Sequence, residues 1–264
     1  MDQRIPEPVR PTLQDYISLV NQQLPGLIKA WFIEGSIALG GFNKHFSDID
    51  FLVVLDRTAT PAEIESLRLI HKTIEKNYPQ REFMGNYLPA DAWSLFDNQE
   101  GSHSRYHHDI LQPQRQFDLD SVEGWILKHH GIALIGPDPQ SLPFTVDWNV
   151  IIRNMRENLN SYWAGYTRRP NRIISLYSDW GIQWTVLGVL RQFYSFREDS
   201  ITTKIEAGEY ALTCMPTRWH RLIQEAINIR ECKLASVYRF RIMRAIDTIN
   251  FVKYVIRICN AGFI

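Results

Sequence analysis

The chain has 264 residues, with 29 Lys and Arg balanced by 29 Asp and Glu, so it offers no global electrostatic pull toward nucleic acid or membrane. Its 45% hydrophobic and 22% charged content is that of a globular protein, without a membrane-length apolar run and without a signal-peptide pattern in MDQRIPEPVRP. Cys214, Cys232 and Cys259 are too scattered for a disulfide framework or a zinc pattern, which fits a reduced, cytoplasmic setting.

Taken in chain order, residues 12–24 are predicted as an amphipathic helix and residues 28–33 as a strand entering Gly35. A short helix over 36–39 and a strand over 49–55 follow. Thr60-Pro61-Ala62-Glu63 is a capping box with proline at the first helical position, which predicts a helix to about Asn77. A strand over 81–88, a helix over 118–130 stopped by Gly131, and a short strand over 132–135 complete the first half. Gly136-Pro137-Asp138-Pro139 is a turn. From about Asp147 onward the periodicity is helical, with candidate helices over 150–166, 177–196, 203–212, 216–229 and 234–258. The expected architecture is α+β: an N-terminal domain over 1–145 with a mixed sheet and flanking helices, then a helical bundle over 146–264. Ligand sites favour domain interfaces, so the cleft is expected between them.

The chemistry concentrates in FIEGSIALGGFNKHFSDIDFLVVL, residues 32–55. One hydrophobic strand runs into Gly35-Ser36; after a glycine-punctuated segment, Ser47-Asp48-Ile49-Asp50 opens a second. Asp48 and Asp50 are two positions apart on a strand and therefore share a face. Crowded carboxylates repel unless a cation lies between them, and Mg²⁺ accepts one or two carboxylates together with nucleotide phosphates. Gly35-Ser36 sits where a strand hands over to a helix, so its backbone N–H groups can cradle a phosphate. An isolated Asp-x-Asp is usually a solvated turn; the order, the spacing and the strands on both sides point instead to metal-assisted phosphoryl or nucleotidyl transfer. The segment resembles the signature of the polymerase β-like nucleotidyltransferase superfamily.

A third carboxylate is expected on the neighbouring strand, and Glu82 is the candidate, as metal ligand or as general base. In the helical half, Arg191 lies inside an aromatic and apolar helix, where a charge needs a partner, and Lys204 opens a later helical segment. Together these segments resemble the aminoglycoside adenylyltransferases that modify streptomycin and spectinomycin. The likeness spans about residues 25–230. It rests on Gly35-Ser36, Asp48 and Asp50, Phe117-Asp118-Leu119-Asp120, Gly131 to Pro137, Arg191-x-Phe193-Tyr194, and Lys204 to Ala211.

By that resemblance, Asp48 and Asp50 would hold Mg²⁺ on the ATP phosphates, and Glu82 would be the catalytic base with a share in the metal. Gly35, Ser36, Arg191 and Lys204 would bind the nucleotide. The acceptor would be a hydroxyl of an aminoglycoside or aminocyclitol, and AMP would be transferred with release of pyrophosphate. The chain departs from the family twice. Ser104-Arg105-Tyr106-His107-His108 replaces the drug-contacting tryptophan segment before Asp109-Ile110-Leu111, so Tyr106 would offer a stacking face and His107 a polar contact. Gly181 stands ten positions before Arg191, where the family has an acid, and Asp179 is the nearest carboxylate. His103, His107 and His108 lack the spacing of a zinc cluster and read as loop residues. ATP and one small molecule are the expected partners of a monomer that binds neither nucleic acid nor membrane. Two other readings use the same motif: a toxin–antitoxin component, and a nucleotide-binding sensor without transferase activity.

Overall fold

Strands β1 (Ile28–Ile33), β2 (Ile49–Leu55), β3 (Phe83–Pro89), β4 (His103–His107), β5 (Ile110–Gln114) and β6 (Ile132–Ile135) form one mixed sheet, ordered β5-β4-β3-β2-β1-β6. They belong to a computed structural model that describes residues 1–89, 103–107, 110–114, 118–233 and 236–262. The chain divides into two compact units, Met1–Val146 and Asp147–Ile264. Only the β2–β3 pair is parallel; the other neighbours are antiparallel. A parallel pair needs a crossover, and the helix α3 (Pro61–Asn77) supplies it. Its start is held by the capping box: Glu63 N–H donates to Thr60 Oγ1, and Thr60 N–H donates to the Glu63 carboxylate at 2.8 Å.

Side chains alternate across the sheet, so each face has its own core. Trp31, Ile33, Phe51, Val53, Phe83, Tyr87 and Tyr106 pack on one side with Leu13, Tyr16 and Val20 of α1 (Arg10–Gln23) and with Leu67, Ile70 and Ile74 of α3. Within this core His71 is fully buried, bonded to the Tyr87 hydroxyl at 2.6 Å and stacked on Tyr106 at 3.7 Å between ring centroids. On the other side Ala30, Phe32, Leu52, Val54 and Leu88 meet Leu127 of helix α4 (Val122–His130), with Leu142 and Phe144.

Helices and no strands are found among the described residues of the second unit: α5 (Trp148–Ser161), α6 (Pro170–Ser175), α7 (Asp179–Glu198), α8 (Lys204–Cys214), α9 (His220–Arg230) and α10 (Arg241–Ala261), with short 3₁₀ turns between them. Helix α7 forms its axis, burying Ile182, Val186, Leu187, Val189, Leu190 and Phe193 against α8, α9 and α10. Arg244 and Glu225 form a buried ion pair at 2.7 Å. No helix among the described residues is long and apolar enough to cross a membrane.

The expected elements over 28–33, 49–55, 61–77 and 132–135 are present at those bounds. The strand expected from residue 81 begins at Phe83, because Arg81 N–H turns back to Tyr78 O at 2.9 Å. The helix expected from Asp118 begins at Val122, where Ser121 Oγ accepts from Gly124 N–H. The last helix, expected from residue 234, begins at Arg241. Leu234 lies outside the described residues, and Ser236 and Val237 bond to the Glu225 carboxylate instead of entering a helix. Strands β4 and β5 and helix α6 were not anticipated. His103 and His107, expected in a loop, are the two ends of β4.

Candidate active site

The strand-to-helix corner after β1 is built on one glycine. Gly35 has φ +61°, a conformation that L side chains rarely adopt. A Cβ placed there would lie 1.9 Å from Asp50 Oδ2. The corner is tied to β2 by Glu34 N–H, which donates to Asp50 O at 3.0 Å. Helix α2 (Gly35–Ala38) follows, anchored by buried Ile37 and Ala38, while Ser36 Oγ is buried with no hydrogen-bond partner. The connection back to β2 closes on itself: Ser47 N–H donates to Asn43 O and Asn43 N–H to Ser47 Oγ. That turn delivers Asp48 and Asp50 at the start of β2.

Asp50 shares a sheet face with Leu52, opposite Phe51. Register extends this face across the sheet: Asp50 pairs with Met84, Leu52 with Asn86, and Asn86 with Arg105. His107, two residues from Arg105, lies on the same face of β4. Glu82 lies just before β3, its carbonyl accepting from Ile49 N–H at 2.8 Å and its side chain exposed. The fold thus brings Asp48, Asp50, Glu82 and His107 to one side and one region of the sheet. Among the described residues no three His, Cys, Asp or Glu side chains converge closely enough to hold a metal ion, so Asp48, Asp50 and Glu82 do not form a ready-made triad.

Glu34 belongs to this face and was not anticipated. It is 2% exposed, with Oε2 lacking a hydrogen-bond partner. Burial above all, then repulsion from Glu123 and Asp50, pushes its carboxyl well above the usual carboxylate range, against the opposing pull of Arg105. Its position directly before Gly35, just past the end of β1, was the available signal.

Tyr106 is a correction. It was expected to offer a stacking face to a ligand, but β4 turns it to the opposite side of the sheet, where it is fully buried against His71 with its hydroxyl donating to Glu75 at 2.9 Å. Alternation is the reason: Arg105 and His107 face the carboxylates, and the residue between them cannot. His108, Asp109 and Phe117 lie outside the described residues.

In the second unit, Trp184 and Arg191 are seven residues apart on α7 and so share a helical stripe. Lys204, the first residue of α8, places Nζ 4.1 Å from the Trp184 ring centroid. Arg191 and Lys204 are therefore brought to one face of this unit. Asp179, at the start of α7, pairs with Arg244 at 2.7 Å while its own side chain stays 59% exposed. No side chain fits at Gly181, since a Cβ there would lie 2.0 Å from Ser175 O.

The corner fits a nucleotide phosphate with a divalent cation. Glycine at 35 lets the Asp50 carboxylate close onto the corner where a Cβ would collide with it, and Ser36 Oγ is an unused donor there. The carboxylate oxygens are hard donors of the kind Mg²⁺ selects, and Mg²⁺ completes its shell with phosphate and water, so two protein carboxylates suffice.

Residues 15–90 match the nucleotidyltransferase domain family, and residues 170–246 match the family described as aminoglycoside adenylyltransferase, C-terminal domain. No curated protein matches the chain in sequence. Among solved structures, spectinomycin adenyltransferase AAD(9) from Enterococcus faecialis, with ATP and spectinomycin, is similar in fold. The TM-score is 0.67 at 15% identity, covering 94% of this chain and 99% of that one.

Proposed function

Because the chain belongs to the nucleotidyltransferases whose C-terminal domain is of the aminoglycoside adenylyltransferase type, we propose that it moves AMP from ATP to a hydroxyl of an aminoglycoside-like or aminocyclitol-like small molecule. The observation that carries this reading is the close approach of the Asp50 carboxylate to the Gly35-Ser36 corner, which only glycine at position 35 permits. ATP is favoured because the similar AAD(9) structure contains it.

Asp48 and Asp50 are assigned to Mg²⁺, which when bound neutralises charge on the phosphate oxygens. Ser36 donates its hydroxyl to a phosphate, and Arg191 and Lys204 supply positive charge to the nucleotide. Glu82, exposed beside the aspartates, takes the proton of the acceptor hydroxyl. The acceptor oxygen bonds to the α-phosphorus in line as the bond to the α,β-bridging oxygen breaks, and pyrophosphate leaves with that electron pair. Burial favours the neutral form of Glu34 beside Asp50. His107 and Asp179 are assigned to the acceptor; a polycationic drug calls for a carboxylate, and Asp179 keeps an exposed one.

The test is pyrophosphate release with ATP and Mg²⁺ across a panel holding spectinomycin, streptomycin and other aminoglycosides, with Asp50→Asn as control. Release that requires one acceptor and vanishes in Asp50→Asn establishes the activity. Mg²⁺-dependent ATP binding without release for any acceptor overturns the acceptor class.

A further inference from the structure

A pocket of about 340 Å³ in the second unit is lined by Arg218, Trp219, Asn250, Lys253, Tyr254 and Arg257. We propose that it binds an oligophosphate, a small anion with two or three linked phosphates, either inorganic or esterified to a nucleoside. None of its residues belongs to the candidate active site, and the proposal stands independently of the adenylyl-transfer reading. Asn250, Lys253, Tyr254 and Arg257 lie beyond residue 246, where the C-terminal family match ends.

The pocket is built by one helical stripe. Asn250, Lys253, Tyr254 and Arg257 stand at spacings of three, four and seven on α10 and so project from one side. The short 3₁₀ turn Thr217–Trp219, just ahead of α9, forms the facing wall. Three cations thus share one hollow, and no lining residue is acidic. Among the described residues Arg218, Lys253 and Arg257 make no hydrogen bond or ion pair; the arginines rest on aromatic rings instead. The Arg218 guanidinium lies 5.0 Å from the Trp219 ring and 5.2 Å from the Tyr254 ring, and that of Arg257 lies 5.6 Å from Tyr254.

Rings of this kind hold guanidinium planes without consuming their donors, leaving the forks available for bidentate contact with phosphate. Grouped like charges repel, so the arrangement is relieved by an anion rather than by a neutral guest. A second observation comes from the wall. Trp219 is 9% exposed, and its Nε1–H is buried without an acceptor among the described residues. The volume suits a small molecule, and Tyr254 offers a ring on which a base can stack.

The experiment is isothermal titration of the full chain with tripolyphosphate in Mg²⁺-free buffer containing EDTA, which keeps any Mg²⁺-dependent site silent. One tripolyphosphate per chain is expected, with affinity falling as salt rises. The double variant Lys253→Glu/Arg257→Glu should weaken it by at least about tenfold, while Lys72→Glu/Lys76→Glu, with the same change of net charge, should leave it unaltered. Arg218→Gln gives a milder second variant. Parallel titrations with pyrophosphate and ADP separate the sources. Tighter ADP binding that is lost in Tyr254→Ala identifies a nucleoside ligand, and equal affinities identify the inorganic anion. Absence of saturable binding, or equal losses in pocket and control variants, overturns the proposal.

Discussion

Asp50 leaves room for nothing but hydrogen on the α-carbon of residue 35: a Cβ there would stand 1.9 Å from its Oδ2, on a backbone with φ +61°. Gly35→Ala must therefore displace either the corner or the carboxylate. Backbone strain of this kind costs about 1–3 kcal/mol, and a misplacement near 1 Å lowers transfer by roughly a hundredfold. Thermal unfolding and pyrophosphate release check both halves. Full activity in this variant would remove Asp50 from the site.

Lys204 is a cation at the first turn of α8, where the helix dipole disfavours positive charge. The dipole opposes this cation while its contact with the Trp184 ring favours it, so the two effects largely offset. Lys204→Gln is expected to change stability by no more than about 1 kcal/mol while reducing transfer at least about tenfold. Arg191→Gln should likewise raise the KM for ATP. Chemical denaturation beside steady-state kinetics decides the matter, and a marked loss of stability in Lys204→Gln would make that lysine structural.

Glu82→Gln removes the group assigned to the acceptor proton while keeping its shape. Turnover should fall by about a hundredfold or more with little change in ATP affinity. A variant with normal turnover would move the base elsewhere.

The buried pair in the helical unit gives a stability prediction. Arg244 and Glu225 meet at 2.7 Å with side-chain exposures of 3% and 0%. Arg244→Met strands the Glu225 carboxylate and should cost about 3–5 kcal/mol. Asp179→Asn breaks the half-exposed branch of the same network and should cost less than about 1 kcal/mol. Equal losses in urea denaturation would contradict this ranking.

His71 sets a pH dependence in the first unit. Burial holds its imidazole well below its ordinary 6.5, so the folded state keeps it neutral where the unfolded chain would take up a proton. Stability from this source is present above about pH 6.5 and is lost as pH falls toward the folded value. His71→Phe should flatten the decline in melting temperature between neutral and mildly acidic pH. An unchanged slope would assign the decline to other groups.

What could be read from the residues divides along physical lines. Strands β1 and β2 are mostly apolar runs, broken by Lys29 in the first and Asp50 in the second and set off by Gly35 and Asp48, so their bounds were legible, and α3 announces itself by its capping box. Strand β4 was not legible, because His103-Ser104-Arg105-Tyr106-His107 carries one large apolar residue among polar ones. Its role is set by pairing with β3, a long-range relationship. That pairing also decides that Tyr106 is core and Arg105 is not. Glu34 escaped notice because a glutamate ending a strand is ordinarily solvated; only the packed fold leaves it 2% exposed near Glu123 and Asp50. The start of α10 is set in the same nonlocal way, by Glu225 capturing Ser236 and Val237.

Asp50 and Phe51 are consecutive residues of β2, so one peptide carries a carboxylate on one face and, on the other, a ring stacked 5.6 Å from His71. A shift of that shared backbone moves the side chains on both faces. Substitutions among the interior aromatics therefore have a route to the position of Asp50. Sequence changes at Tyr16, His71 or Tyr87 in naturally occurring variants belong in the same inventory as changes beside the aspartates.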